Sequence, residues 1–364
     1  MKLESYTHET GLAQITSETK KFQASALSPN TARAYASDWK SFEAWCSQMG
    51  LLSMPASPVS VANYLSDKAE LIDERGEWLY APATIARWVA AVNKAHMVAN
   101  QMPPGKHPEV QTTLSGIKKL HARPQRRVSP LLLIDLRKAL NAIDFNHFPD
   151  GVIGSRDAAI LLMGFAGAFR RSELTSLFIE DITVHIEDGL HVRIVTSKTD
   201  QEGRGSIKAL PYGANPITCA PCAFARWVKV IDAHDTSRPA LLRTLREMDP
   251  NVHICKESLD ALKRLDSKLP LFRVAAKGGI LFQEALSGHA VNNIVKKRVD
   301  DIGFNSMRYG GHSLRAGFIT QAFRAGASAH EIMRQTGHTN PATLEIYSRE
   351  HDPLRSNAVT RIGL

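Results

Sequence analysis

Cysteine is scarce in this 364-residue chain, limited to Cys46, Cys219, Cys222 and Cys255. So few in so long a chain exclude a secreted scaffold held by disulfides. Long hydrophobic runs are lacking as well: none reaches the roughly eighteen residues of a membrane span, and the N-terminus has no signal-peptide core. These absences lead to the expectation of a reducing, cytoplasmic setting. Metal-binding patterns are sparse. Cys219-Ala-Pro-Cys222 is a single CxxC, whereas zinc usually takes two such pairs, and the fourteen histidines follow no ligand spacing. No metal and no cofactor are expected. Acidic residues are the minority among the charges, 36 against 45 basic, for a formal net charge of +9. Up to Arg127, 15 basic residues face 11 acidic ones, and beyond it 30 face 25, so both halves are basic. Such a balance favours a polyanionic partner without identifying one.

What is present is globular material, 43% apolar and 22% charged, in a length that suits two domains. Residues 1–26 are polar and poorly periodic and read as a mobile arm. Ser28-Pro29-Asn30 opens a helix with a serine cap and a proline in its first turn, and Ala32, Tyr35, Trp39, Phe42 and Trp45 form its apolar face up to Gly50. Further helices are expected from Ser57-Pro58, through Ile85, Trp88, Val89 and Val92, and after His107-Pro108 with Val110, Leu114, Ile117 and Leu120. Together they make an all-helical domain over 27–120. His121 to Pro130 carries prolines and arginines without apolar period, so 121–130 reads as a basic linker.

The second domain, 131–364, opens with helices over Leu131–Leu140 and Asp157–Ala168. Ile182, Val184 and Ile186, a break at Asp188-Gly189, then Val192, Ile194 and Thr196 alternate as a hairpin does. Ile207 to Leu210 supplies a third strand, so the fold class is mainly α, with a small three-stranded antiparallel sheet in an α+β second domain. Ser287 caps a helix bearing Val291, Ile294, Val295 and Val299, with Lys296, Lys297 and Arg298 on its exposed side. Residues 233–270 are charged and have no assigned role. From about residue 350, Leu354, Ala358 and Ile362 recur every fourth residue and predict a short tail helix.

Chemistry concentrates in Gly311-His312-Ser313-Leu314-Arg315, Gly337-His338-Thr339-Asn340-Pro341 and Tyr347, with Phe169-Arg170-Arg171-Ser172-Glu173-Leu174 upstream and Lys198 on the hairpin loop. In order these give Arg170, Lys198, His312, Arg315, His338 and Tyr347, spaced 28, 114, 3, 23 and 9 apart. Guanidiniums stay charged and donate paired hydrogen bonds to phosphate oxygens; imidazoles pass protons; a phenol is a nucleophile once a base takes its proton. Each fragment alone is commonplace, since HxxR recurs by chance and a helical tyrosine is usually core. Their conjunction in order is what points to a site.

That set resembles the active site of the tyrosine recombinases, the phage-integrase family, with the two-domain layout of its Cre-like and Xer-like members. The resemblance implies that 27–120 is a core DNA-binding domain and 131–364 the catalytic domain, closing as a clamp on duplex DNA. It implies a site-specific recombinase that cleaves and rejoins DNA at inverted-repeat sites through a 3′-phosphotyrosine and a four-way junction, as a homotetramer on DNA and a monomer in solution. Arg170 and Arg315 would hold the phosphate, Tyr347 attack it, His312 take its proton, Lys198 protonate the departing 5′ oxygen and His338 hydrogen-bond the phosphate, with Glu173 orienting them. Candidate DNA contacts are Arg87, Lys94, Lys118, Lys119, Arg123, Arg126, Arg127, Lys296, Lys297 and Arg298. The tail would pack on a neighbouring protomer or fold back on its own domain. Arg171 stands where the family has an apolar residue, so the register of Ser-Glu-Leu is what selects Arg170. Two other readings share these residues: a type IB topoisomerase, and an architectural DNA-binding protein without catalysis.

Overall fold

The computed structural model describes residues 16–123, 128–195, 205–257, 260–344, 347 and 362. Its backbone divides into two compact units, Met1–Gln125 and Arg126–Leu364. In the first, α1 (Ser17–Ser25) lies within the stretch expected to be an arm without regular structure. It has no apolar face to reveal it: Phe22 is 73% exposed, and the visible start signal is Thr16, whose Oγ1 accepts from the Thr19 N–H at 3.2 Å. The helices α2 (Pro29–Gln48), α3 (Pro58–Ala69), α4 (Pro82–Val98) and α5 (Pro108–Leu120) follow, each opening on proline. Ser28 and Ser57 cap α2 and α3 through backbone N–H groups three residues on.

An aromatic group of Phe42, Trp45, Tyr64 and Trp88 fills the core of this unit. Asp38 is buried beneath it and accepts from Arg87 at 2.8 and 3.0 Å and from the Trp88 indole at 3.1 Å. Leu120, expected on the apolar face of α5, is 82% exposed, because the core contacts of that helix end at Ile117.

The second unit is built around α7 (Asp150–Ala166), preceded by α6 (Leu133–Asn141) and followed by α8 (Arg171–Thr175). Nearly all of α7 is buried, which explains its apolar run without amphipathic period. Next comes the antiparallel sheet β1 (Ile182–His185), β2 (Gly189–Ile194) and β3 (Ser206–Leu210), in that order. Ile182 pairs with Val192, and Leu190 with Leu210. Gly189 ends the first turn at φ +104, and a Cβ there would strike the carbonyl of Leu210.

Then α9 (Ala220–Thr236) packs against α7, followed by α10 (Arg238–Arg246) and α11 (Asp260–Arg264). A second hairpin, β4 (Arg273–Ala275) with β5 (Leu281–Ala285), adds to the one sheet expected. The chain continues as α12 (Gly288–Asp300), α13 (His312–Arg324) and α14 (Ala329–Thr336). At Gly164 an added Cβ would lie 2.7 Å from Leu314 Cδ1, so α7 and α13 need glycine to approach this closely. That crossing sets Arg315 beside the end of α7. No helix among the described residues is long and apolar enough to cross a membrane.

Candidate active site

The end of α7 is the base of the site. Gly167 caps the helix and Ala168 follows at φ +45, a left-handed conformation that costs a non-glycine residue about 1–2 kcal/mol. The bend presents two successive carbonyls. That of Gly167 accepts from Lys208 Nζ at 2.8 Å, and that of Ala168 from Arg315 Nη1 at 2.7 Å. Arg170 then opens α8. Its backbone N–H donates to Glu173 Oε2 at 2.9 Å and its guanidinium to Oε1 at 2.7 Å. The adjacent Arg171 instead packs beside Gly288 and Gly311.

Glu173 is 3% exposed and lies 3.5 Å from Lys208 Nζ, which also sits 4.5 Å from the centre of the Phe169 ring. Burial opposes the Glu173 charge, yet Lys208 and Arg170 hold its carboxyl below the usual range. Burial is also the main reason why the Lys208 pKa falls to about 8, with Glu173 opposing the fall and Arg315 and Arg170 adding to it. Arg315 is fully buried and drops to about 10, first from burial and then from the charge of Arg170. Three cations thus surround one carboxylate. The surplus is positive, preset and poorly solvated, as a phosphate site requires.

Arg315 also reaches His338, with Nη2 3.2 Å from Nε2. His338 follows Gly337, whose left-handed φ of +67 ends α14, and its Nδ1 lies 2.8 Å from Thr336 Oγ1. Thr336 Oγ1 donates to the Ile332 carbonyl, so the consistent tautomer has Nδ1–H donating to Thr336 and Nε2 accepting from Arg315. Burial and then the charges of Arg315 and Arg170 push the His338 pKa down to about 4, leaving it neutral. In this arrangement His338 holds Arg315; donation to a phosphate requires the other tautomer.

The nucleophile candidate completes the site. His312, exposed at the start of α13, has Nε2 2.9 Å from the Tyr347 hydroxyl. Asn340 accepts from the Ala342 N–H at 2.9 Å to cap the turn leading there, and Tyr347 packs against the Ile319, Phe323, Ile332 and Leu344 cluster. Arg170, Glu173, His312, Arg315, His338 and Tyr347 are therefore brought together. Lys198 lies outside the described residues, as do Arg126, Arg127 and all of the expected tail helix except Ile362.

Two supporting residues escaped the sequence reading. Lys208 looked like one position in an alternating strand, and Gln335 looked like helix surface. Gln335 Nε2 donates to the Ala166 carbonyl at 2.8 Å and the Ala209 carbonyl at 3.1 Å, tying α14 to both α7 and β3.

Among the DNA-contact candidates, Arg298 is corrected. It is 7% exposed and donates to Asp157 of α7, which Arg156 also approaches at 2.8 Å, so this face of α12 is core. Arg87 donates to Asp38, Lys297 to Asp301 at 3.1 Å, and Arg123 lies 3.8 Å from Glu77. Lys118 and Lys119 are exposed, and Lys94 and Lys296 half-buried. The reading of Cys219-Ala-Pro-Cys222 as a motif without partners is also corrected: His253 and Cys255 come in beside it from a later loop.

No protein-family model matches the chain. An integrase/recombinase xerD homolog of Selenomonas ruminantium is 31% identical over 336 residues, 92% of this chain and 85% of the relative. The recombinase Cre of Escherichia phage P1 is 24% identical over 328 residues, covering 90% and 86%. Among solved structures, the XerH site-specific recombinase bound to a palindromic difH substrate superposes with a TM-score of 0.52 at 17% identity, over 84% of this chain and 72% of that one.

Proposed function

Because the chain belongs to the tyrosine recombinase family and is a site-specific DNA recombinase, we propose that it breaks and rejoins DNA through a phosphotyrosine formed by Tyr347. The observation that carries this reading is the 2.9 Å contact between His312 Nε2 and the Tyr347 hydroxyl, next to the surplus charge of Arg170 and Arg315. His312 takes the phenolic proton as the oxygen attacks. The two guanidiniums stabilise the charge on the pentacoordinate phosphorus, and Lys198 protonates the departing 5′ oxygen. Glu173 fixes Arg170, and His338 fixes Arg315. The phosphotyrosine conserves the bond energy, so rejoining needs no nucleotide.

By the same reading the substrate is duplex DNA with inverted repeats around a short spacer. Two bound protomers on each of two sites form a tetramer and pass through a four-way junction, in the cytoplasm. Lys94, Lys118, Lys119 and Arg123, the linker pair Arg126 and Arg127, and Lys296 and Lys297 supply backbone contacts. Relatives that are named recombinase and integrase over nearly the whole chain favour this over a topoisomerase or an architectural factor. The test is covalent trapping. DNA nicked so that the cleaved end diffuses away should accumulate a denaturation-resistant adduct with the native protein and none with Tyr347→Phe, at equal DNA affinity. An adduct with Tyr347→Phe, or relaxation of supercoils lacking any repeat, would overturn it.

A further inference from the structure

Away from the phosphate-facing groups, three buried thiols and one imidazole converge. Cys219 caps α9 and Cys222 lies in its first turn, while His253 and Cys255 come from the loop between α10 and α11. Their ligand atoms all lie within 4.8 Å of one another. Cys219 Sγ and Cys255 Sγ are 3.8 Å apart, Cys222 Sγ and His253 Nδ1 3.2 Å, and Cys255 Sγ and His253 Nδ1 3.8 Å. A tetrahedron with zinc–sulfur bonds of about 2.3 Å and a zinc–nitrogen bond of about 2.0 Å has edges of about 3.8 Å between sulfurs and about 3.5 Å between sulfur and nitrogen. The cluster already has close to those dimensions. None of the four cysteines is in a disulfide, and pairing any two of the three here would leave an odd thiol.

The surroundings are arranged for a ligand set. His253 Nε2 lies 3.4 Å from the Ala214 carbonyl, which favours a proton there and leaves the Nδ1 lone pair facing the thiols. The Gly213 N–H donates to Cys219 Sγ at 3.3 Å. Arg226, one turn along α9 from Cys222, is 2% exposed and donates to the carbonyls of Pro250 at 2.8 Å and Val252 at 3.1 Å, fixing the loop that presents His253. Three thiolates, a neutral imidazole and a divalent ion leave one negative charge. The Arg226 guanidinium and the N-terminus of α9 both face it with the opposite sign. Tyr212 packs over the three buried thiols with Lys256 above its ring, and His253 reaches them from the exposed side.

We propose that Cys219, Cys222, His253 and Cys255 bind one structural zinc ion. Four protein ligands with three soft sulfurs select zinc and leave no position for substrate, so the ion is a staple rather than a catalyst. Its ligands join two pieces, the start of α9 and the loop after α10, and the Gly213 N–H on Cys219 Sγ ties the exit of β3 to them. Residues 233–270, without a role in the sequence, thereby acquire an anchor in their middle. The ion fixes the start of the helix that supports α7, and the strand that carries Lys208 is linked to it only through the Gly213 N–H on Cys219 Sγ.

The full chain, purified under reducing conditions without added metal, should carry about one zinc ion per molecule. Cys222→Ser and Cys255→Ser should each lose it, and Cys46→Ser, in the other unit, should keep it. Because loss of the ion can itself unfold the serine variants, native protein stripped and refilled with cobalt(II) provides an independent readout. It should show thiolate-to-cobalt charge transfer and the intense visible bands of a tetrahedral site. His253→Cys should retain the metal and shift those bands, whereas His253→Ala should weaken binding at least tenfold. Zinc far below one equivalent together with an octahedral cobalt spectrum would overturn the proposal, as would zinc retained equally in both serine variants.

Discussion

The Nε2 atom of His312 lies 2.9 Å from the Tyr347 hydroxyl, although 35 residues separate them in the chain. If that imidazole is the base, His312→Ala should slow formation of the covalent adduct by about 10²–10⁴-fold with DNA affinity unchanged. Added imidazole should restore part of the rate. Equal losses in binding and cleavage would instead assign His312 to the phosphate.

Lys198 is the proposed general acid, and the chemistry of the leaving group can test it. Lys198→Ala should slow cleavage of ordinary DNA by about two orders of magnitude or more, yet leave DNA with a 5′-bridging sulfur nearly unaffected, because a thiolate departs without a proton. The comparison is a ratio of single-turnover rates. Equal slowing on both substrates would remove Lys198 as the acid.

Lys208 should couple pH to two observables in opposite directions. Its pKa of about 8 in the folded chain lies below the ordinary lysine value of 10.5. Between those limits the unfolded chain binds more protons, so this group's contribution to stability is least favourable below pH 8 and improves as pH rises toward about 10.5. Native stability relative to Lys208→Met should therefore rise across that window in denaturant titrations. Cleavage should fall over the same range, as Glu173 loses the neighbouring charge. The substitution itself should slow cleavage by about one to two orders of magnitude, the equivalent of a charge-assisted hydrogen bond of roughly 1.5–3 kcal/mol. The fall centred near pH 8 should disappear in the variant.

Cleavage itself should survive EDTA added at the start of the reaction, because Arg170 and Arg315 carry the charge that a metal would otherwise supply. Binding should weaken steeply with salt, by about three orders of magnitude between roughly 50 and 200 mM. Prompt loss of single-turnover cleavage in EDTA, restored by magnesium, would contradict the first expectation.

The tail offers a test of assembly. Ile362 is 65% exposed. If this segment docks on a neighbour, ending the chain after Arg349 should leave single-site binding nearly unchanged while abolishing cooperative assembly and recombination, as read by gel shift and product analysis. Tetramers and normal recombination from the shortened chain would show that the tail is dispensable.

Much of this was legible in the residues. Serine–proline starts, the Ser328–Glu331 capping box and the glycine end of α14 are local signals, and they stand where the sequence puts them. The structure also brings together Arg170, His312, Arg315, His338 and Tyr347, while Lys198 lies outside the described residues. Lys208 was hidden by an inverted pattern: in β3, Ile207 is 69% exposed while Lys208 and Leu210 face inward. Hydrophobic alternation marks the wrong face there, since the buried cation answers to Glu173, 35 residues earlier. Arg298 failed for the matching reason, its partner Asp157 being 141 residues away. The second half of the thiol cluster is His-x-Cys rather than a repeat of CxxC, and Ala168 offers no glycine to betray its left-handed backbone. Local propensity leaves clear traces in a sequence; burial of charge against a distant partner does not.

The 2.7 Å bond from Arg315 to the Ala168 carbonyl spans 147 residues, and it has a consequence for the order of synthesis. A ribosome delivers Arg170 and Glu173 early, Arg315 and His338 late, and Tyr347 last of the site residues. Every product that stops short of residue 347 therefore lacks the proposed nucleophile. If Tyr347 is the nucleophile, such an aborted chain leaves no covalent lesion on DNA.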